Sequence, residues 1–476
     1  MLDALAIPLA DSASNLLAAR NQMGFTLGFH IVLASFGVAF PAKMLIAEYR
    51  GRKHDDPEAL KLAERWSRAT AVLFAVGAVS GTVLSFEFGL LWPGLMDRFG
   101  DAFGIAFAIE GIFFFLEAIF IAIYIYGWRR LPGWAHFWSG VPMAISGVGG
   151  AASVIAANSW MNTPQGFELG ADGRVSEVDV GQVLLNPAFG HEFPHMWIAA
   201  YIATGFLVAS VYAVGMLRGR RDRYHRIGFL IPFTVAAAIT PVQIFVGDIA
   251  AREVADDQPV KFAAFECIYE TDDNQPEQVG GICTDGGRNV AGDISIPGLD
   301  SLLVGYSTGT VVEGLEEFPE DERPPALTLL HLSFDTMVGI GFALLALAGW
   351  FAISWWRRRD IPATPWFLRA AAVAGVAAVV AIECGWIVTE VGRQPWIVRD
   401  FMRTSEAVTD ADGIWFTFVL SLLIYAALAV ASAVVLRALS RRWRERDLAE
   451  QEVPYGPRTG EPYGPPAGAA SGGELG

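Results

Sequence analysis

Nine long apolar segments, separated by polar connections, run along the chain. Each segment has more than 20 residues, enough for a helix to cross a hydrocarbon core about 30 Å thick. Their approximate limits are 23–47, 69–95, 104–126, 133–157, 193–217, 227–250, 326–355, 366–390 and 414–436. The pattern therefore predicts an all-α polytopic membrane protein with nine transmembrane helices.

Lys and Arg residues are divided unequally between the two alternating sets of connections. The set that begins with 48–68 and ends with 436–446 holds 22 of them, whereas the set that includes the N-terminal region holds 10. Because positive residues stay preferentially in the cytoplasm, we expect the N-terminus outside and the C-terminus in the cytoplasm. Residues 1–19 contain no Lys or Arg, so no cleavable signal peptide is predicted.

The connections differ in length and composition. The longest, 251–325, holds 17 acidic and 4 basic residues and is predicted to lie outside; a loop of this length is usually functional. Residues 447–476 are rich in Gly and Pro and are predicted to be a disordered cytoplasmic tail. Residues 1–446 then form a single membrane domain.

Composition and charge narrow the possible functions. Only 18% of the 476 residues are charged, against about 25% in soluble domains, which excludes a soluble enzyme. The formal net charge of -16 makes nucleic acid an improbable partner, since phosphate binding needs a basic face.

Ionisable residues inside the predicted spans are the candidates for chemistry, because a charge at the membrane centre costs at least about 2.5–3.5 kcal/mol and persists mainly for function. They include His30, Glu87, Glu110, Glu117, His195, His331, Asp335, Glu383 and Glu390. Glu110 and Glu117 are seven residues apart and share a helix face, as do Glu383 and Glu390. These carboxyls are protonated, bound to a metal, or exposed to a water path.

Several motifs resemble those of one family. GWIVTEVGRQPW at 385–396 is the most specific, and the others follow in the expected order: AIEG at 108–111, ANSWMNTP at 157–164, NPAFGHEFPH at 186–195, QPVKFAAFE at 258–266 and MVGIGF at 337–342. Together they resemble subunit I of the cytochrome bd-type quinol oxidases over nearly the whole chain.

The resemblance implies three haems near the outer face and assigns their iron ligands. His195 and Met337 would ligate a low-spin haem b, a ligand pair that suits electron transfer. Glu390 would ligate a high-spin haem b, and His30 the oxygen-reducing haem, which is haem d or a third haem b. Trp386 and Arg393, in the same signature as Glu390, are expected to bind haem, and the Arg393 guanidinium can pair with propionates.

Further roles follow from the same resemblance. Glu110 matches a carboxylate beside the oxygen-reducing iron, and Glu117 one on the proton path. Lys261 and Glu266 match residues implicated in quinol oxidation, in the connection 251–325 that this family calls the Q-loop.

The implied activity is that of a terminal oxidase in a bacterial or archaeal plasma membrane. It would oxidise ubiquinol or menaquinol at the outer face and reduce O2 to water with cytoplasmic protons, generating a proton motive force without pumping. A homologous membrane subunit II is the implied partner, with a small single-helix subunit in some members. The alternatives are a b-type cytochrome that transfers electrons from quinol without oxygen reduction, and a transporter, although no inverted repeat is evident.

Some residues bear on the subtype. Glu266, in the Q-loop, and Met337, in the span that follows it, are only 71 positions apart, which places the chain in the short-loop class. The stretch SFEFGLLWPGLMDRFG at 85–100 resembles the cyanide-insensitive branch, in which haem b can replace haem d. Asp335 departs from family members that carry Arg there.

The remaining histidines and the cysteines complete the predictions. Cys267 and Cys283 lie in the outer loop, where an oxidising exterior favours a disulfide, and Cys384 is predicted to be a packing residue. His331 is predicted to be a hydrogen-bonding residue rather than a ligand. Glu87 and Glu383 are either proton relays or protonated carboxyls bonded between helices. His54, His136 and His225 lie in or near connections and are predicted to be solvated.

Overall fold

A computed structural model describes residues 12–362 and 364–451. Among the residues it describes, nine helices are long and apolar enough to cross a membrane, as predicted. The helices are α1 (Ser12–Lys53), α2 (Pro57–Leu91), α3 (Pro93–Gly127), α4 (Gly133–Asn162), α5 (Val180–Leu184), α6 (Phe189–Leu217), α7 (Arg223–Asp257), α8 (Pro259–Glu266), α9 (Leu299–Gly305), α10 (Leu327–Arg358), α11 (Pro365–Gly392), α12 (Thr404–Ala407) and α13 (Ile414–Gln451). The candidate spans are α1–α4, α6, α7, α10, α11 and α13.

Helix boundaries follow local sequence signals. Asp56 and Asp222 cap α2 and α7, each side chain accepting a backbone N–H of the first turn. Pro93 begins α3, so α2 ends at Leu91. The predicted second span, 69–95, therefore extends across a helix break, and the predicted connection 96–103 is helical.

The last helix also differs from its predicted limits. It continues to Gln451, five residues past the predicted end of the membrane domain at 446. The rest of the predicted tail, 452–476, lies outside the described residues, as do residues 1–11 at the other end.

The connections on the predicted outer side carry all the strands found in the described residues. These strands form antiparallel pairs: β1 (Phe167–Leu169) with β2 (Val175–Val178), β3 (Glu277–Val279) with β6 (Ile294–Ile296), β4 (Ile282–Thr284) with β5 (Asn289–Ala291), and β7 (Trp396–Val398) with β8 (Met402–Arg403). The connections on the opposite side are short turns between long helices.

The Q-loop folds into a layer of its own. It begins with the end of α7 and continues through α8, the nested hairpins β3–β6 and β4–β5, and α9. Its core, around Phe262, Phe265 and Ile268, packs against Leu330 of α10 and Val388 of α11. Burial of these apolar side chains fixes the loop on the ends of the spans.

Within the spans, α6 is a central element. Phe206 of α6, Phe233 of α7 and Phe367 of α11 are fully buried in one apolar cluster. A second cluster, which includes Phe99 and Trp160, joins α3 and α4 to the β1–β2 and β7–β8 hairpins. These clusters position the helix faces that carry the ionisable residues.

Candidate active site

Six of the predicted site residues line one cavity of about 520 Å³ between α1, α2, α3, α4 and α11. This volume is within the usual range for a small-molecule or cofactor site. The six residues are His30, Glu110, Glu117, Trp386, Glu390 and Arg393. The structure therefore brings together residues that are up to 363 positions apart in the sequence.

His30 is held by two adjacent residues of α2. Its Nδ1 lies 2.9 Å from Ser80 Oγ, while that hydroxyl donates to Gly77 O at 3.0 Å. Because a hydroxyl has one hydrogen, Ser80 accepts from His30 Nδ1–H, and the lone pair on Nε2 is left for a metal. A Cβ on Gly81 would lie 2.9 Å from His30 Cε1, so the imidazole needs glycine at that position.

The half-buried Glu390 and the buried Arg393 form an ion pair at the end of α11. Arg393 Nη2 donates to Glu390 Oε2 and Asn158 Nδ2 donates to Glu390 Oε1, both at 2.5 Å. Arg393 is 7% exposed, and its Nε and Nη1 have no partner among the described residues. Two unsatisfied guanidinium donors beside a carboxylate fit the binding of an anionic group such as a haem propionate.

Glu110 and Glu117 follow one face of α3. Glu110 lines the cavity, and Glu117 lies seven residues further toward the predicted cytoplasmic side, about 10 Å along the helix. Glu117 is 9% exposed. Its Oε1 lies close to two glycines, since Cβ atoms added to Gly37 and Gly147 would be 3.3 and 3.4 Å from it. Both carboxyls therefore line the cavity at different depths, with Glu117 nearer the predicted cytoplasmic side.

His195 and Met337 lie outside this cavity, on α6 and α10. Gln243 Nε2 of α7 lies 3.2 Å from His195 Nδ1, and a Cβ on Gly247 would be 3.4 Å from His195 Cε1. Met337 Sδ would lie 3.1 Å from a Cβ on Gly385 of α11. Each predicted ligand therefore lies in close contact with a glycine of a neighbouring helix, His195 with Gly247 of α7 and Met337 with Gly385 of α11.

Lys261 and Glu266 are both buried but have different surroundings. Lys261 Nζ donates to Asn162 Oδ1 at 2.7 Å, and burial lowers the pKa of Lys261 to about 7. Glu266 Oε2 has no hydrogen-bond partner among the described residues, and burial together with nearby carboxylates raises the pKa of Glu266 well above its ordinary value. The structure places the two side chains at opposite ends of α8.

His331 and Asp335 attach the Q-loop to α10. His331 is fully buried; its Nδ1 lies 2.9 Å from Phe265 O, and its Nε2 lies 2.9 Å from Gly280 O. Asp335 accepts from Gly280 N at 2.5 Å. The prediction that His331 is a hydrogen-bonding residue is confirmed. Asp335, where other family members carry Arg, has a structural role, because it holds the backbone of the Q-loop.

The prediction for His136 is wrong. His136 is fully buried, with Nδ1 2.7 Å from Glu48 Oε1 and Nε2 2.8 Å from Tyr124 O. Glu48 also accepts from Arg52 at 2.6 Å. His136 belongs to a polar network that joins α1, α3 and α4 at their predicted cytoplasmic ends, which its position near a connection did not indicate. By contrast, His54 is exposed.

The other predicted residues have clear positions. Glu87 Oε1 accepts hydrogen bonds from Gln22 and Thr26 across the α1–α2 contact. Of the two predicted roles for Glu87, this favours a carboxyl hydrogen-bonded between helices over a proton relay. Glu383 Oε1 has no described partner. Cys267 and Cys283 are disulfide-bonded with a Cα–Cα distance of 6.3 Å, within the usual range; Cys384 is a free thiol.

The sequence analysis assigned no role to four residues that lie among these sites, Asn158, Asn162, His191 and Glu192. Asn162 Nδ2 donates to Glu192 Oε1 at 3.1 Å and to Asn158 O at 3.2 Å, so it joins α6 to the Lys261 and Glu390 contacts. His191 is buried, and neither ring nitrogen has a described partner. The motifs ANSWMNTP and NPAFGHEFPH contain all four and were the available signal.

Comparisons with known proteins identify relatives of the whole chain. The sequence profile of the family described as "Cytochrome bd terminal oxidase subunit I" matches residues 18–443. The chain is 33% identical over 428 residues to the "Putative cytochrome bd menaquinol oxidase subunit I" of Bacillus subtilis (strain 168), covering 89% of this chain and 96% of that protein. It is 31% identical over 411 residues to the "Cytochrome bd ubiquinol oxidase subunit 1" of the same organism, covering 83% and 86%.

A solved structure is similar over the same length. It is that of "bd oxidase from Geobacillus thermodenitrificans", which superimposes with a TM-score of 0.85 and 35% sequence identity. The match covers 90% of this chain and 98% of the other.

Proposed function

Because the chain belongs to the cytochrome bd terminal oxidase subunit I family, we propose that it oxidises quinol at the Q-loop and supports oxygen reduction in the cavity lined by His30. The chain is a multi-pass protein of the bacterial plasma membrane and a quinol:oxygen oxidoreductase. The family requires haem and a partner subunit II. The alternative of a b-type cytochrome without oxygen reduction is not favoured by these relatives.

Four residues are proposed to hold the iron atoms of three haems. His30 offers the lone pair of Nε2, and Glu390 a carboxylate oriented by Asn158 and Arg393. His195 and Met337 form the proposed six-coordinate pair of the low-spin haem b. When bound, the haems would carry electrons from quinol to oxygen. The haem at His30 is haem d or a third haem b, and Trp386 borders the same cavity.

Lys261 and Glu266 are proposed to handle the two protons that quinol oxidation releases. With a pKa of about 7, Lys261 has a large neutral fraction at physiological pH, and a neutral amine can accept a proton. The carboxyl of Glu266 faces the Q-loop layer, which suits proton transfer toward the outside. The relatives are named as menaquinol and ubiquinol oxidases, and we propose that the substrate is one of these two quinols.

Protons for oxygen reduction are proposed to arrive from the opposite side. Glu117 lies deeper along α3 than Glu110, and Glu110 borders the cavity that contains His30. Proton uptake from the cytoplasm and release outside would generate a proton motive force without a pump. A small single-helix subunit is proposed as a further partner.

The observation that carries the proposal is the cavity that unites His30, Glu110 and Glu390 from three helices. The test is a reduced-minus-oxidised spectrum of the purified complex with carbon monoxide, with pyridine haemochrome analysis. The wild type should bind carbon monoxide, and a chlorin band would identify haem d. Substitution His30→Ala should remove carbon monoxide binding and leave the low-spin signal, whereas His195→Ala should remove the low-spin signal.

His54→Ala is the matched control, because His54 is exposed. It should leave both spectral signals unchanged. Unaltered carbon monoxide binding in His30→Ala would contradict the assignment of His30, and the absence of high-spin haem from the wild type would contradict the oxidase itself.

A further inference from the structure

Three carboxylates of the Q-loop converge at one point from separate elements. Glu266 ends α8, Glu277 begins β3, and Asp300 lies in the first turn of α9. One oxygen from each lies within 4.8 Å of the other two. Two oxygens on opposite sides of a Ca²⁺ ion, each about 2.4 Å from it, would be separated by about 4.8 Å. The spacing is therefore compatible with a shared cation.

Glu266 and Asp300 are buried, Glu277 is half-buried, and each of the three has an unsatisfied oxygen. Asp300 is 1% exposed and Glu266 is 5% exposed. Asp300 Oδ2, Glu266 Oε2 and Glu277 Oε2 each lack a hydrogen-bond partner among the described residues. A buried carboxylate needs a partner or a proton, so three neighbouring carboxyls with unsatisfied oxygens suit either a shared cation or shared protons.

The basic residues of the Q-loop do not supply that partner, because all four are engaged elsewhere. Arg252 pairs with Asp248, Lys261 donates to Asn162, Arg288 donates to Asp285 O, and Arg323 donates to Phe318 O. The ionisable groups that face the cluster from α10 are Asp335 and His331. Both hydrogen-bond to the backbone of Gly280.

The surrounding structure holds the three side chains in place. Gln275 N donates to Ser301 Oγ at 2.8 Å and Ser301 N donates to Gln275 O at 3.4 Å, which ties the chain before β3 to α9. The Cys267–Cys283 disulfide ties the end of α8 to β4. A site of this kind is assembled by the fold of the loop and does not depend on one flexible segment.

We propose that Glu266, Glu277 and Asp300 form a Ca²⁺ site that joins the quinol-binding helix α8 to the outer layer of the Q-loop. Ca²⁺ accepts flexible all-oxygen coordination, whereas Mg²⁺ requires shorter distances and near-octahedral geometry. The site faces outside in the predicted orientation, where sites with Kd of about 10⁻⁴–10⁻³ M are useful. This site stands whether or not Glu266 contacts quinol.

The test uses the purified haem-loaded complex, stripped of divalent cations with EGTA and titrated with CaCl2. Equilibrium dialysis with radioactive calcium should show one more bound ion in the wild type than in Asp300→Asn, with affinity at least about tenfold weaker in that variant. MgCl2 should compete weakly. Glu313→Gln, which removes an exposed carboxylate from the same loop, is the control and should bind Ca²⁺ as the wild type does.

Thermal unfolding separates loss of binding from loss of folding. Ca²⁺ should raise the Tm of the wild type and of Glu313→Gln, but not that of Asp300→Asn. In EGTA, Asp300→Asn should be at least as stable as the wild type, because one repulsive carboxylate is removed. Its unchanged haem spectrum would show that the complex is intact.

Equal calcium binding by the wild type and Asp300→Asn would overturn the proposal. The proposal would also be overturned if the wild type bound no Ca²⁺ and Asp300→Asn were more stable than the wild type, since the three carboxyls would then share protons and not a cation. Because binding is measured without quinol or oxygen, failure of the cation site leaves the oxidase proposal untouched.

Discussion

Gly81→Ala tests the placement of His30 most directly. A Cβ at this position would lie 2.9 Å from His30 Cε1, whereas carbon atoms in contact are about 3.5–4.0 Å apart. The imidazole would therefore have to move by about 0.6 Å or more, against its hydrogen bond to Ser80. Since a misplacement of about 1 Å in a reacting group can cost about 10²-fold in rate, we expect oxygen consumption to fall by about 10- to 100-fold.

The assay combines oxygen consumption with the carbon monoxide difference spectrum, which should lose intensity while the low-spin signal stays. Gly89→Ala is the matched control, because Gly89 is also in α2 and no described atom lies within 4 Å of its added Cβ. Both variants gain about 1 kcal/mol of helix propensity, so a difference between them reports the clash. Wild-type oxygen consumption and carbon monoxide binding in Gly81→Ala would refute the placement of His30 against α2.

Three further predictions concern other parts of the chain. Because burial lowers the pKa of Lys261 to about 7, kcat/KM for quinol should rise as the pH increases through about 7, when the ammonium loses its proton. The permanently charged Lys261→Arg should lack this rise, and an unchanged pH profile in that variant would contradict the role of Lys261 as proton acceptor. Glu48→Gln leaves the buried His136 and the half-buried Arg52 without their anion and should lower the free energy of unfolding by about 3–5 kcal/mol, measured by thermal unfolding. Glu64→Gln, in a more exposed pair, should lower it by less than about 1 kcal/mol; equal losses for the two variants would contradict the prediction. Non-reducing peptide mapping should recover Cys267 linked to Cys283, and two free thiols would exclude the disulfide. Reduction of the disulfide should lower the free energy of unfolding by up to about 3 kcal/mol in the loop-entropy model.

The sequence predicted the spans well because each is a long apolar run, and that signal is independent of tertiary contacts. It misplaced the end of α2 because apolarity continues across Trp92 and Pro93, although the proline was visible. It misjudged His136 because proximity to a connection says nothing about burial, and the partner Glu48 is 88 residues away. The cavity could be anticipated only through motifs, since its residues come from separate helices.

The carboxylate cluster of the Q-loop is another feature that the sequence could predict only in part. Glu266 was identified by its motif, but Glu277 and Asp300 lie in a stretch where acidic residues are common and no spacing distinguishes them. Only the pairing of β3 with β6, and the helix that follows, brings them to Glu266. Strands of three residues leave no periodic trace in the sequence of an irregular loop.

The proposed quinol segment and the proposed iron ligand at Glu390 are connected through α4. Lys261 Nζ donates to Asn162 Oδ1, Asn162 Nδ2 donates to Asn158 O, and Asn158 Nδ2 donates to Glu390 Oε1, at 2.7, 3.2 and 2.5 Å. Asn158 and Asn162 are four residues apart, so one face of a rigid helix holds both contacts. Because this chain passes through the backbone carbonyl of Asn158, a displacement of α8 on quinol binding would reach Glu390 only by shifting the end of α4.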